Sequence, residues 1–124
     1  MFIDGDKKKH QQNVFEITAK ISRQLYDAEF GQSGFFHSAS ILDPIFKQLE
    51  MEKEQRRYVR QEEVIDLLVQ EKALIKDMSI QKARDVLWAF TGRDFYRMLV
   101  LERGWSSDEY EKWLGDVLVH TLLK

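Results

Sequence analysis

The side chains best suited to chemistry are three histidines, His10, His37 and His120, and the carboxylates between Glu50 and Glu63. The histidines stand far apart, with no HxxxH or HxxE spacing, so no metal site is expected. His120 falls near the end of the last apolar run, where a cation suits a helix C-terminus and the role is structural. His37 follows Phe35 and Phe36 and has two readings, a polar group lining a cavity or a partly exposed turn residue. General acid–base catalysis needs a carboxylate in a water-poor setting with a shifted pKa. The carboxylates from Glu50 to Glu63 alternate with Lys and Arg, the pattern of a solvated helix face. No glycine-rich phosphate loop, serine elbow or thiol is present, so no catalytic residue and no cofactor are assigned and the chain is read as a non-enzyme.

Composition narrows the classes further. At 124 residues the chain is long enough for one domain. Without cysteine it carries no disulfide, and a reducing, cytoplasmic setting is expected. A formal net charge of −2 gives no basic footprint for nucleic acid. The Lys7, Lys8 and Lys9 triplet reads as a solvated linker rather than a phosphate contact. No apolar run reaches the roughly 18–20 residues of a membrane span, and the first ten residues lack the apolar core of a secretory signal.

One proline and six glycines point to long regular elements, and Val and Ile recur at steps of three and four rather than alternating. The chain is therefore read as all-α, a bundle of about five to six helices. Residues 1–12 are read as a linker or disordered start and residues 13–124 as the helical domain. The first helix is expected from about Gln11 to Ala28, with Val14, Ile17, Ile21, Leu25 and Ala28 on its apolar stripe and Phe15 and Tyr26 beside it. Asp43 and Pro44 supply an N-cap and a first-turn proline for a helix reaching about Lys72, with a solvated middle. A break follows at residues 75–79. Ser79 caps a helix to about Thr91, Gly92 ends or kinks it, and Asp94 caps a continuation that Gly104 closes. Ser106 and Glu109 have capping-box spacing at the start of the last helix, with Trp105 and Tyr110 placed for a hydrophobic staple.

The aromatics divide into two sets. Phe15, Tyr26, Phe36, His37, Phe46, Tyr58 and Phe90 are the candidate lining of a ligand cavity, since such cavities are mostly apolar with a few polar groups. Trp88, Tyr96, Trp105, Tyr110, Trp113, Leu114, Val117, Leu118 and Thr121 are the candidate dimer interface. Trp and Tyr suit interfaces because each joins a large apolar body to a polar tip.

The run from Leu87 to Leu114 also carries a resemblance. Trp88, Thr91, Asp94, Tyr96, Arg103, Gly104, Trp105, Ser106, Tyr110, Trp113 and Leu114 stand as in the C-terminal part of TetR-family transcriptional regulators. Gln55, Arg56 and Arg57 on a long helix, followed by a turn near Lys72 to Met78, resemble the upstream pattern. The resemblance implies an effector-binding and dimerisation domain. It would pair with a second copy through its last two helical segments as a four-helix bundle. Its ligand would be an unidentified small apolar or amphipathic effector. The segment before the first core helix is too short for a three-helix reader of DNA, so DNA would be reached only through an absent N-terminal domain. The alternative reading is a stand-alone helical protein–protein interaction domain without a ligand pocket.

Overall fold

In a computed structural model of the chain, residues 4–32 and 43–124 are described. Every regular element among them is helical. The order is α1 (Asp4–Gln32), α2 (Pro44–Arg60), α3 (Glu62–Gln70), α4 (Ile80–Phe90), α5 (Arg93–Tyr96), a π-helical segment (Arg97–Glu102) and α6 (Ser107–Leu122). No described helix is long and apolar enough to cross a membrane.

The caps sit where side-chain chemistry places them. Asp43 accepts from the Ile45 amide at 2.8 Å, ahead of Pro44. Ser79 accepts from the Lys82 amide at 3.1 Å. Ser106 accepts from the Glu109 amide at 3.1 Å, the first bond of the expected capping box, and its hydroxyl donates to the Glu109 carboxylate at 3.2 Å. Trp105 stands edge-on to Trp113 at 6.1 Å and Tyr110 edge-on to Tyr96 at 5.1 Å, so each aromatic of the expected staple has another ring as its neighbour. Gly104 takes φ +77°, the left-handed conformation that glycine tolerates at a helix end. α5 starts at Arg93 with Gly92 as its N-cap, so Asp94 is a first-turn acid and not the cap.

Three boundaries differ from expectation. α1 begins at Asp4, so most of the stretch read as linker is helix. Asp6 complements the positive end of the helix dipole, and Gln11 Nε2 donates to Glu71 Oε1 at 2.9 Å, tying the early turns to the end of α3. At the other end α1 runs through Gly31 to Gln32, with Phe30 stacked on Tyr96 at 5.5 Å and 6°. The long second helix is broken at Gln61, which caps α2 and starts α3.

The core lies between α1 and an antiparallel α6. Arg23 reaches Asp108 and Glu111 at the start of α6, while Gly115 one and two turns later lies against Glu16 and Ala19. A Cβ on Gly115 would stand 3.8 Å from the Ala19 Cβ, so the two helices approach through small residues. Phe15, Ala19 and Tyr26 meet Tyr110, Leu114, Leu118 and Leu122, and Ile65, Leu68, Ala83, Leu87 and Tyr96 complete the buried cluster. Each large apolar side chain so buried stabilises the fold by roughly 1.5–3 kcal/mol. The buried stripe of α1 is thus not the one that apolar spacing picks out. Phe15, Ala19, Ser22 and Tyr26 face inward, and Ile17 and Ile21 are more than half exposed on the opposite side. The last residues fold back on the 73–75 turn: Ile75 donates to the Leu122 carbonyl at 2.9 Å, and Lys124 to that of Ala73 at 2.8 Å.

Candidate functional site

No residue of α2 is fully buried. Its charged edge, Glu50, Glu54 and Arg57, turns towards α4 and α5, and its apolar Ile45, Leu49 and Val59 point outward. Polar ties hold it in place. Arg93 of α5 binds Glu50 through both terminal nitrogens, at 2.7 and 3.1 Å, and also reaches Glu29 of α1 at 2.5 Å. Arg57 pairs with Glu54 at 2.6 Å and lies over the Trp88 ring at 5.3 Å. Its Nη1 donates to Thr91 Oγ1 at 2.7 Å and to the Trp88 carbonyl at 3.0 Å. Gln61 Nε2 donates to the same Thr91 oxygen at 2.8 Å, and Thr91 donates onward to the Leu87 carbonyl. Burial opposes the charge on Arg93, but Glu29 and Glu50 outweigh it and hold its pKa above the ordinary value.

Beneath this latch lies a polar interior walled by aromatics. Tyr26 packs against Phe30 and Tyr96, and Tyr96 against Tyr110. Tyr26 lies in the field of Arg57, Arg93, Glu54 and Glu29, and burial pushes its pKa up to about 12. Tyr110 lies in the field of Tyr26 and Arg57 and is pushed up mainly by burial. The Tyr26 and Tyr110 hydroxyls, Gln61 Oε1 and Arg93 Nε are buried with no hydrogen-bond partner. Native interiors seldom leave such groups unmatched, because each forfeits about 1–3 kcal/mol of hydration.

A second polar cluster closes the other side of α1. Asp27 accepts from Tyr96 and Ser107, both at 2.5 Å, and from Arg23 at 3.2 Å. Burial raises the pKa of Asp27, but those three donors more than offset it and the net shift is downward. Burial first, then the bond to Asp27, pushes Tyr96 up to about 12. Outside it, Lys20, Arg23, Gln24, Asp27, Ala28 and Glu111 line an open hollow of about 600 Å³.

Among the described candidate ligand-lining residues, Tyr26 alone has its hydroxyl among the buried unpartnered polar atoms. Phe15 is core between α1 and α6. Phe46 is 41% exposed on the outside of α2. Tyr58 sits at the α2–α4 seam, under the Arg84 guanidinium at 4.4 Å and bonded to Asp85 and Gln81. Phe90 stacks on Phe95 at 5.1 Å and meets Trp113 edge-on. Phe36 and His37 lie outside the described residues. Four of the candidate interface residues, Tyr96, Tyr110, Leu114 and Leu118, are buried within the protomer and leave no surface for a partner. Their stripe is consumed by α1, because Ala19 and Gly115 let the helices close on it. Trp88, 37% exposed, packs at the α2–α4 seam with Tyr58 and Arg57. Trp105, Trp113, Val117 and Thr121 are half-buried, and Met98 and Leu101 of the π-helical segment are exposed nearby in sequence.

Sequence reasoning missed the polar members: Glu29, Glu50, Arg57, Gln61, Thr91 and Arg93. Their partners stand roughly 30 to 64 positions away, beyond the reach of helical periodicity. The sequence signals were Arg57 and Thr91, both within the resemblance to regulators. No known family, curated protein or solved structure matches the chain.

Proposed function

We propose that the chain is the effector-binding and dimerisation domain of a transcriptional regulator resembling the TetR family, with its bundle of five to six helices serving both roles. DNA contact would belong to a helix-turn-helix head outside these residues. The observation that carries the reading is the set of buried polar atoms without a hydrogen-bond partner, the Tyr26 and Tyr110 hydroxyls, Gln61 Oε1 and Arg93 Nε, in a domain where one helix, α2, has no fully buried residue. Such a site suits a small ligand whose arrival shifts the balance between two positions of α2. Dimerisation would use the surface that the protomer leaves half covered, Trp105, Trp113, Val117 and Thr121 with Met98 and Leu101, in a self-complementary contact.

Sedimentation velocity and a thermal-shift screen of small metabolites test this together. The expected result is a dimer that Trp113→Ala weakens about 30-fold, the effect of losing about 2 kcal/mol at a tryptophan anchor, and at least one ligand that raises the melting temperature. A concentration-independent monomer that no ligand stabilises would overturn it. The interaction-domain reading would then take over, favoured by the outward Ile45, Leu49 and Val59 edge of α2.

A further inference from the structure

α2 sorts its charges across its width. Its acids Glu50 and Glu54 turn inward, to Arg93 and Arg57. On the side facing solvent, Ile45, Leu49, Glu52, Arg56 and Val59 follow one another at steps of three and four and form one stripe. Phe46, Lys53 and Arg60 flank it. The stripe runs about 21 Å at 1.5 Å per residue, apolar towards its start and cationic towards its end. Ile45, Leu49 and Val59 are each more than half exposed. Glu52, the acid on the stripe, accepts from Gln48 at 3.4 Å. Inward and elsewhere the arginines are matched: Arg23, Arg57, Arg84, Arg93 and Arg97 each have a carboxylate within 4.0 Å. Among the described residues Lys53, Arg56 and Arg60 pair with no carboxylate. In a chain whose formal net charge is −2, this is a local excess of cations set beside uncovered aliphatic side chains.

We propose that the outer face of α2 docks an acidic amphipathic helix of a partner protein, whose apolar side chains cover Ile45, Phe46 and Leu49 and whose carboxylates meet Lys53, Arg56 and Arg60. The inference goes beyond the effector-domain reading and does not depend on it. Charge complementarity selects the occupant. A second copy is a poor match, because a symmetric contact is self-complementary. With the two α2 helices parallel, cations would face cations. With them antiparallel, Ile45 and Leu49 of one would face the cations of the other. Nucleic acid would engage the cations and leave the aliphatic half of the stripe uncovered. A flat anionic bilayer would bring its negative surface against Glu52, midway along the stripe. A peptide passes Glu52 with a single neutral side chain while placing acids opposite Arg56 and Arg60. An amphipathic helix laid along α2 buries apolar side chains at one end and adds ion pairs at the other, and it breaks no contact that holds α2 to the domain, since Glu50 and Arg57 face the other way.

Three labelled peptides of about 15 residues, the span of the stripe, test the proposal by fluorescence anisotropy. All carry Leu at every third and fourth position; the remaining positions are Glu in the first, Gln in the second and Lys in the third. The Glu peptide is expected to bind saturably, at least about tenfold more tightly than the Gln peptide, and more weakly as salt is added. The Lys peptide should not bind. Leu49→Ser should weaken the Glu peptide about tenfold, the effect of one uncovered aliphatic contact. Lys53→Gln with Arg56→Gln should weaken it about fivefold, as two surface ion pairs would. All three positions face solvent or its edge, so both variants should fold as the parent does. Equal binding of the Glu and Gln peptides, binding that both variants retain in full, or no binding at all would each overturn the proposal. So would tighter binding to vesicles of phosphatidylcholine and phosphatidylserine in equal parts that Leu49→Ser abolishes, which would assign the face to a membrane. Self-association that Leu49→Ser dissolves would assign it to a second copy and overturn the proposal as well. None of these outcomes bears on the ligand screen, which decides the effector reading separately.

Discussion

α1 and α6 meet through the smallest side chains they own, and α2 meets its neighbours through its largest charged ones. At the first contact Ala19 lies against Gly115, and the flanking Phe15, Tyr26, Leu114 and Leu118 are fully buried. At the second, Glu50 and Arg57 reach across to Arg93, Thr91 and the Trp88 carbonyl, Glu54 braces Arg57, and no residue of α2 is fully buried. The first contact is non-directional and scales with area removed from water. The second is directional, screened at its edges and readily remade with water. A domain built from both has a rigid spine and one helix whose position is set by a handful of polar bonds. That is the mechanical requirement for a part that responds to what lies beneath it.

The sharpest way to break this contrast is to weaken each contact in turn. Leu118→Ala empties the α1–α6 seam and should lower stability by about 3–4 kcal/mol in urea unfolding, since a fully buried leucine loses both transfer energy and packing. Arg93→Ala leaves Glu29 and Glu50 without their common partner and should lower it by about 2–3 kcal/mol, towards the lower end for a broken buried pair because Glu50 keeps partial access to water. The two variants should differ in kind as well. Hydrogen exchange in Leu118→Ala should quicken throughout, and in Arg93→Ala chiefly along α2. Uniform quickening in both would mean that α2 is no separate unit.

The same contrast explains what the sequence could and could not reveal. Caps are local, so Asp43, Ser79, Gly104 and Ser106 were legible from their neighbours a few positions away. So was the helical class. The facing of α1 was not, because Ile17 and Ile21 are stronger apolar signals than Ala19 and Ser22, yet only the small pair admits α6 to close range. The charged middle of α2 reads as solvated from composition alone. Arg57 pairs locally with Glu54, but its bonds to Thr91 and the Trp88 carbonyl join positions more than 30 residues apart and leave no mark on helical spacing. Tyr110, with the spacing of an interface residue, became part of the core for the same reason as Leu114 and Leu118: α1 reached that stripe first.

Titration sharpens the comparison at a lower energy scale. Asp27 ties α1 to Tyr96 and Ser107, and its pKa in the folded protein is below the usual carboxylate value. The carboxylate form is therefore favoured by folding, and its contribution is present above about pH 4 and fades as the pH falls through the folded-state value. The stability gap between the parent and Asp27→Asn should be widest at neutral pH and shrink in acid. Tyr26 behaves in the opposite direction. Its pKa rises from 10.0 to about 12 on folding, so its neutral form contributes fully below pH 10 and that contribution is lost between about pH 10 and 12. Tyr26→Phe should unfold at higher pH than the parent in an alkaline titration. An unchanged alkaline midpoint would place the Tyr26 hydroxyl in contact with water and remove it from the interior beneath α2.

The smallest effect is expected at the outward edge of α2. Leu49 is 53% exposed and Ile45 71% exposed, so Leu49→Ser and Ile45→Ser remove little buried area and should change stability by no more than about 0.5 kcal/mol. That near-silence is itself informative when set beside Leu118→Ala. If α2 were an ordinary amphipathic helix docked by its apolar face, each serine would cost about 1 kcal/mol or more through lost burial. A loss of that size would mean that Ile45 and Leu49 are covered in solution and that the charged edge is not what fastens the helix. A stability unchanged at every protein concentration would leave Glu50, Arg57 and Tyr58 as the attachments of α2. Raising the salt concentration should then loosen α2 before it loosens the α1–α6 pair, because screening weakens the Glu50–Arg93 tie of α2 and the Arg23–Asp108 pair alike while the apolar packing between α1 and α6 is left in place.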